Sequence, residues 1–201
     1  MLGQEWRGPR GLRHFFLLGT ESRPPTFDSA PSGERHCRVC NPRRPATNSH
    51  VRIERGELHH IVEIAPLFDA YRRFYGRADD PRARSFLEER IARQESAVFI
   101  ARLQGTAIGF CQLYPCFASV SLTRMFVLYD LFVAPQARRG GAASALLRAA
   151  VDYAAAQGAG QLMLQTGTTN LVAQQLYERE GWVRDNDFYV YEFHLPAGEQ
   201  A

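Results

Sequence analysis

The sequence predicts a mixed α+β domain, a central and mostly antiparallel sheet flanked by helices, with one strand-to-helix crossover at its centre. Three observations carry this. Beyond residue 50, short apolar runs alternate with stretches of helical periodicity. Gln104-Gly105 separates two of the apolar runs as a hairpin turn does. Val133 to Leu147 reads as a strand that passes through a turn directly into a helix.

The elements follow in order. Residues 51 to 55 form a short strand with Val51 and Ile53 on one face. Residues 61 to 75 place apolar or aromatic side chains at 61, 64, 67, 68, 71, 74 and 75, a helix face that Gly76 closes. A second helix spans 81 to 94 with Phe86, Leu87 and Ile91 inward. Strands at 96 to 103 and 106 to 113 make the hairpin, and 122 to 133 is a third, longer strand stopped by Pro135. Residues 141 to 157 are an amphipathic helix through Leu146, Leu147, Ala150 and Ala154, ended by Gly158. A short strand at 162 to 164 follows, then a helix at 171 to 180 capped by Asn170 and ended by Gly181. Trp182-Val183 and residues 188 to 195 complete the expected sheet as an antiparallel pair. The alternation of the latter strand by itself shows only a half-buried strand, and a homodimer is plausible only by likeness to folds in which such a strand packs across a dimer.

At 201 residues and 22.7 kDa the chain is long enough for one domain with an extension, which excludes a disulfide-stapled miniprotein. Its 45% hydrophobic and 22% charged composition is that of a globular protein. The net charge of +3 is too small to argue for a nucleic-acid partner. All basic residues but histidine are arginine, which excludes a lysine Schiff base. No run of 18 apolar residues or signal-like segment occurs, so no membrane partner and a cytoplasmic location are expected, with the four cysteines as free thiols.

Residues 1–48 hold six prolines, eight arginines and four acids. This extension is expected to be disordered or to reflect a start placed upstream of the true one. Cys37 and Cys40 have the spacing of half a zinc site, but no second pair follows, so no metal is expected. The domain proper is expected over 49–197, with 198–201 as a tail.

The chemistry concentrates at the turn into the central helix. Small residues from Gly140 to Ala143 let a ligand approach the backbone, and the first helical turn exposes N–H groups without internal partners. Arg138 adds a positive charge. The segment is either a phosphate cradle or a tight packing turn. It matches neither the P-loop nor the dinucleotide fingerprint. Asp130 is a charge within an apolar strand, and a buried carboxylate needs a partner. It serves as a structural hydrogen-bonding group, as a base or amine anchor, or stands at an exposed edge. Tyr177 on its helix face is equally readable as core.

Two ordered motifs resolve more than this. Arg138-Arg139-Gly140-Gly141-Ala142-Ala143 resembles the acetyl-CoA-binding motif of the GCN5-related N-acetyltransferase (GNAT) superfamily. Asn170, Ala173, Leu176, Tyr177, Gly181 and Trp182 match that superfamily's later helix. The resemblance spans residues 50 to 195 and points to a bacterial branch with poorly assigned substrates. It implies an acyl-CoA N-acyltransferase fold with a splayed sheet, acetyl-CoA as cosubstrate, and direct transfer to a primary amine of a polyamine-, amino-acid- or aminoglycoside-like small molecule or of a basic peptide.

By that resemblance the backbone from Arg139 to Ala143, with Ser144, binds pyrophosphate, supported by Arg138. Residues 129 to 133 part from 161 to 165 to admit the pantetheine arm, so Leu131, Phe132 and Val133 line the cofactor. Asn170 and Ala173 hold the following loop, and Tyr177 protonates the leaving thiolate. Tyr129 stands where polyamine acetyltransferases of the superfamily carry Glu, and Tyr129 and Asp130 are the candidates near the acceptor amine. The acceptor pocket is expected from Tyr71, Phe74 and Tyr75, then Tyr114 and Phe117 in a loop at 114 to 121. Glu88 and Glu89 are either attractants for a cationic acceptor or plain solvated charges. A coenzyme A sensor or scaffold of the same fold is the nonenzymatic alternative.

Overall fold

The computed structural model describes residues 51–195. Residues 51–184 belong to one compact unit and 185–195 to another. The extension, Cys37, Cys40 and the tail lie outside the described residues.

Within the first unit, β1 (Arg52–Gly56) leads through a short 3-10 turn to α1 (Ile61–Phe74) and α2 (Arg82–Ala92). The hairpin β2 (Ala97–Leu103) and β3 (Thr106–Ala118) precedes β4 (Thr123–Val133), α3 (Ala142–Ala156), β5 (Ala159–Leu164) and α4 (Leu171–Arg179). The five strands stand in chain order, antiparallel except for the parallel β4–β5 pair, which α3 connects. A parallel pair cannot be joined by a tight turn, so the α3 crossover is a consequence of that pairing.

Strand alternation sends side chains to two cores. Ala101, Cys111, Leu113, Phe126, Leu128 and Val133 pack with Leu146, Leu147 and Ala150 of α3. On the other face Ile100, Phe110 and Phe132 pack with Ile64, Phe68 and Leu87 of the first two helices. Arg102 ties the far edge together: it bonds Glu54 of β1 and forks onto Glu63 of α1 at 2.6 and 2.8 Å. Such bidentate charge-assisted pairs fix orientation as well as adding energy.

Two expectations need correction. The segment after Leu113 is not a loop, because β3 continues to Ala118 opposite β4. Pro115 is tolerated there because β2 pairs only as far as Leu113, leaving that side of β3 an edge with no N–H required. The final antiparallel pair is also not formed. Residues 188–195 carry no strand, and Tyr189, Tyr191, Val190 and Phe193 are all exposed. Alternation yields a strand only when its backbone groups and apolar face find partners. Here Asp185 instead folds the chain locally, its Oδ1 accepting from the N–H groups of Asp187 and Phe188 at 2.8 and 3.2 Å.

The β3–β4 interface is close enough to demand glycine. A Cβ on Gly109 would lie 2.6 Å from the Phe132 carbonyl oxygen and 3.1 Å from Val133 Cα, both backbone atoms of β4. Gly109→Ala is therefore expected to cost about 3 kcal/mol, read as a lower urea midpoint at unchanged slope. An unchanged midpoint would show that the strands can separate freely at this point.

Candidate active site

The site begins where β4 loses its neighbour. Arg124 to Leu128 pairs with β5, and the register ends at Leu128 opposite Leu164. Residues 129–133 then run on beside β3 alone, so backbone groups facing the β5 side are left for a ligand. The expected divergence is present but begins later on β5, since Gln161 to Leu164 are still paired with β4.

A bulge coincides with this parting. Leu113 opposes Leu128 and Gln112 opposes Asp130, which leaves Tyr129 as the extra residue. The slip changes the phase of the strand. Phe126 and Leu128 face the α3 core, whereas Phe132 joins the core beneath α1. Asp130, two residues before Phe132, therefore lies on the α1 side with 4% of its surface exposed, while the Tyr129 side chain stands in solvent.

Tyr71 of α1 covers this point. Its ring packs edge-on against Phe110 and Phe132 at 6.0 and 6.2 Å, and its hydroxyl donates to the Tyr129 carbonyl at 3.3 Å. Burial raises the Asp130 carboxyl to about 7, opposed by the nearby Tyr71 hydroxyl, which favours the anion. Burial, then the Asp130 charge, pushes the Tyr71 hydroxyl up. Tyr75 packs on Tyr71 with ring centres 5.1 Å apart, and Phe74 packs on Tyr75 at 5.2 Å.

At the end of β4 the chain makes the turn that the sequence marks. Arg139 has φ of 64° and Gly141 has φ of 83°, two left-handed residues around Gly140. Ala142 then starts α3, whose first N–H groups lack intrahelical partners and point out of the turn. Arg139, Gly140 and Gly141 are exposed, Ala143 and Ser144 half-buried and Ala142 buried. Arg138 Nε donates to the Val133 carbonyl at 3.1 Å, and its guanidinium lies 5.8 Å from the Phe74 ring centre. One arginine thus joins the turn, the strand end and the aromatic cluster. Exposed donors at a helix start beside an arginine suit an anionic phosphate group, and the unpaired edge of residues 129–133 suits an amide-bearing arm. The residues present fit acetyl-CoA.

Across the opening, Asn170 caps α4 by accepting from the Ala173 N–H at 3.3 Å. Tyr177 on α4 is half-buried, with its ring 6.4 Å from Trp182. Burial raises its hydroxyl, and the Tyr75 hydroxyl adds to the effect. Tyr114 meets Tyr129 edge-on at 5.8 Å. Phe117 does not join the cluster. It stacks with Arg124 at 5.5 Å, several residues down the β3–β4 hairpin. Glu88 bonds Arg84 at 2.8 Å, and Glu89 bonds Arg90 and Arg93 at 2.9 and 2.8 Å, so neither is a free attractant for a cation. Among the described residues no His, Cys, Asp and Glu cluster could hold a metal, and no helix is long and apolar enough to cross a membrane.

Two buried polar residues of this region, Ser96 and Gln112, escape the sequence reading. The signal for Gln112 is the one that exposes Asp130, a polar side chain within an apolar strand.

A splayed sheet with a donor-rich turn beside a buried carboxyl defines an acyl-CoA-dependent N-acetyltransferase. The family described as "Acetyltransferase (GNAT) family" matches residues 64–182, and the chain belongs to it. An uncharacterized N-acetyltransferase of Bacillus subtilis (strain 168), YhfO, is 46% identical over 72% of this chain and 98% of its own. The crystal structure of a probable acetyltransferase is 40% identical with a TM-score of 0.68, covering 72% of this chain and 98% of that one. A ribosomal-protein-alanine N-acetyltransferase from Brucella melitensis biovar Abortus 2308 is 25% identical with a TM-score of 0.62, over 72% of this chain and all of its own.

The raised Asp130 carboxyl has a consequence for stability. Its contribution is fully present below the ordinary value of 3.8 and is lost as pH rises through about 7. Urea unfolding at about pH 5 and about pH 8 should show the native protein losing more stability than Asp130→Asn over that range. Equal losses would contradict a buried, uncompensated carboxyl.

Proposed function

We propose that the acceptor is a small molecule with a single primary ammonium on an apolar or planar body, amino-acid-like rather than polycationic. The observation that supports this is the position of Asp130, one buried carboxyl under Tyr71 at the point where β4 and β5 part. Phe74, Tyr75 and Tyr129 offer exposed aromatic surface around it, and aromatic faces attract an ammonium and its hydrocarbon body. The acids of α2 are already paired with arginines, which leaves little to hold several positive charges.

Acetyl-CoA, when bound, supplies an acetyl group activated by a thiolate leaving group. The residues supply the proton traffic and the positioning. An ammonium loses two protons on becoming an amide. Asp130 takes one through the Tyr71 hydroxyl, which frees the nitrogen lone pair to attack the acetyl carbon. A proton acceptor that titrates at about 7 matches neutral pH. Backbone N–H groups near Phe132 or Val133 meet the developing negative oxygen. As the carbon–sulfur bond breaks, Tyr177 gives its proton to sulfur and regains one from the nitrogen. The proton on Asp130 then leaves to solvent. Arg138 and the backbone from Arg139 to Ser144 hold the phosphates, and Leu131, Phe132, Val133, Asn170 and Ala173 shape the arm's channel.

The test is thiol release from acetyl-CoA by the full chain across L-amino acids, arylalkylamines, polyamines, aminoglycosides and basic peptides. Single-ammonium acceptors should dominate, and Tyr177→Phe should lower turnover about a hundredfold with little change in acetyl-CoA affinity. Turnover restricted to polycations would overturn the acceptor assignment, and unchanged turnover in Tyr177→Phe would remove its role as the acid. Acetyl-CoA binding with no turnover on any amine would favour a coenzyme A sensor.

A further inference from the structure

The buried polar and charged residues of the described chain are Ser96, Gln112 and Asp130, and they lie along one line across three strands. Gln112 on β3 stands opposite Asp130 on β4. Ser96 immediately precedes β2, whose Ala97 opposes Leu113. Gln112 Nε2 donates to Ser96 Oγ at 2.8 Å, which leaves the oxygen as the free end of the amide. The other end, Gln112 Oε1, is fully buried and has no hydrogen-bond donor. An orphaned buried acceptor costs its full desolvation penalty and needs an explanation. The adjacent strand offers one, because a carboxyl group becomes a donor once it carries a proton.

We propose that Gln112 is a positioning residue for the transfer: its Oε1 accepts a hydrogen bond from the protonated carboxyl of Asp130 and holds the proton taken from the acceptor inside the sheet. The proposal rests on Asp130 being the proton acceptor of the reaction. The amine N–H and the Tyr71 O–H bonds break, a new O–H forms on Tyr71 and another on Asp130, and the proton on Asp130 is shared with Gln112 Oε1. Ser96 Oγ holds the Nε2 end of the amide, which leaves Oε1 for the acid. The ionisable groups around Asp130 are Tyr71 on α1 and Tyr75 just after it, and Cys111 and Tyr114 on β3, with Arg90 of α2 and Tyr129 of β4 beyond Tyr114. Burial raises Cys111 and Tyr114, so both are neutral. The hydrogen bond from Asp130 to Gln112 favours the neutral acid and works with burial.

Infrared difference spectroscopy on the full chain, without acceptor or acetyl-CoA, reads the protonated carboxyl directly. A carboxyl band should titrate near pH 7 in the native protein and be missing in Asp130→Asn. In Gln112→Met, which keeps the bulk of the side chain, its midpoint should fall by about one pH unit, a tenfold change in the ratio of acid to anion. Ser96→Ala should move it in the same direction by releasing the amide. The acid limb of kcat/KM for the acceptor should shift by the same amount in both variants. An unmoved band in Gln112→Met and Ser96→Ala overturns the proposal alone. A band that moves while the kcat/KM profile stays in place overturns the assignment of Asp130 as proton acceptor, and the proposal with it.

Discussion

The site depends on β4 having two different neighbours along its length. Up to Leu128 it is held on both sides, by β3 and by β5, and beyond that point by β3 only. Unpaired strand edges are avoided where they have no use, because each buried N–H and C=O left without a partner costs free energy. Here the cost is borne at one place, and it coincides with the Tyr129 bulge. The bulge advances the strand by one residue and so sends Asp130 under α1 rather than into the α3 core. One backbone irregularity therefore sets the carboxyl where β4 and β5 part.

The burial of Asp130 has opposite effects on stability and on chemistry. An acid raised to about 7 is a poor anion inside the fold but a well-matched proton acceptor at neutral pH. Tyr71 touches both, since its hydroxyl donates to the Tyr129 carbonyl and opposes the rise of the Asp130 carboxyl. Arg138 does the same at the other end of the strand, bonding Val133 and lying against Phe74. The turn into α3 and the aromatic cluster at Phe74 are thus linked through a single side chain.

Much of this is legible in the sequence where short-range rules apply. The Asn170 cap and the amphipathic α3 follow from local chemistry and stand where their residues predict, although Gly141, read as the first helical residue, is the left-handed residue before it. The location of Asp130 in an apolar run signals burial. Its partner is not legible, because Gln112 is 18 residues away in the chain and meets it only through a register that a bulge has shifted. Likewise, apolar alternation at 188–195 shows that a strand would suit the segment but carries no information on whether a partner edge is supplied. The acids at 88 and 89 look like a cation site in sequence because their arginine partners on the same helix are visible only as neighbours, not as bonds.

The most direct measurement of this account is backbone hydrogen exchange of the full chain with and without coenzyme A. The account predicts protection confined to two segments, 129–133 on the unpaired side of β4 and 139–144 at the start of α3. Protection elsewhere, with these amides unchanged, would contradict the claim that the parting of β4 from β5 is the cofactor channel.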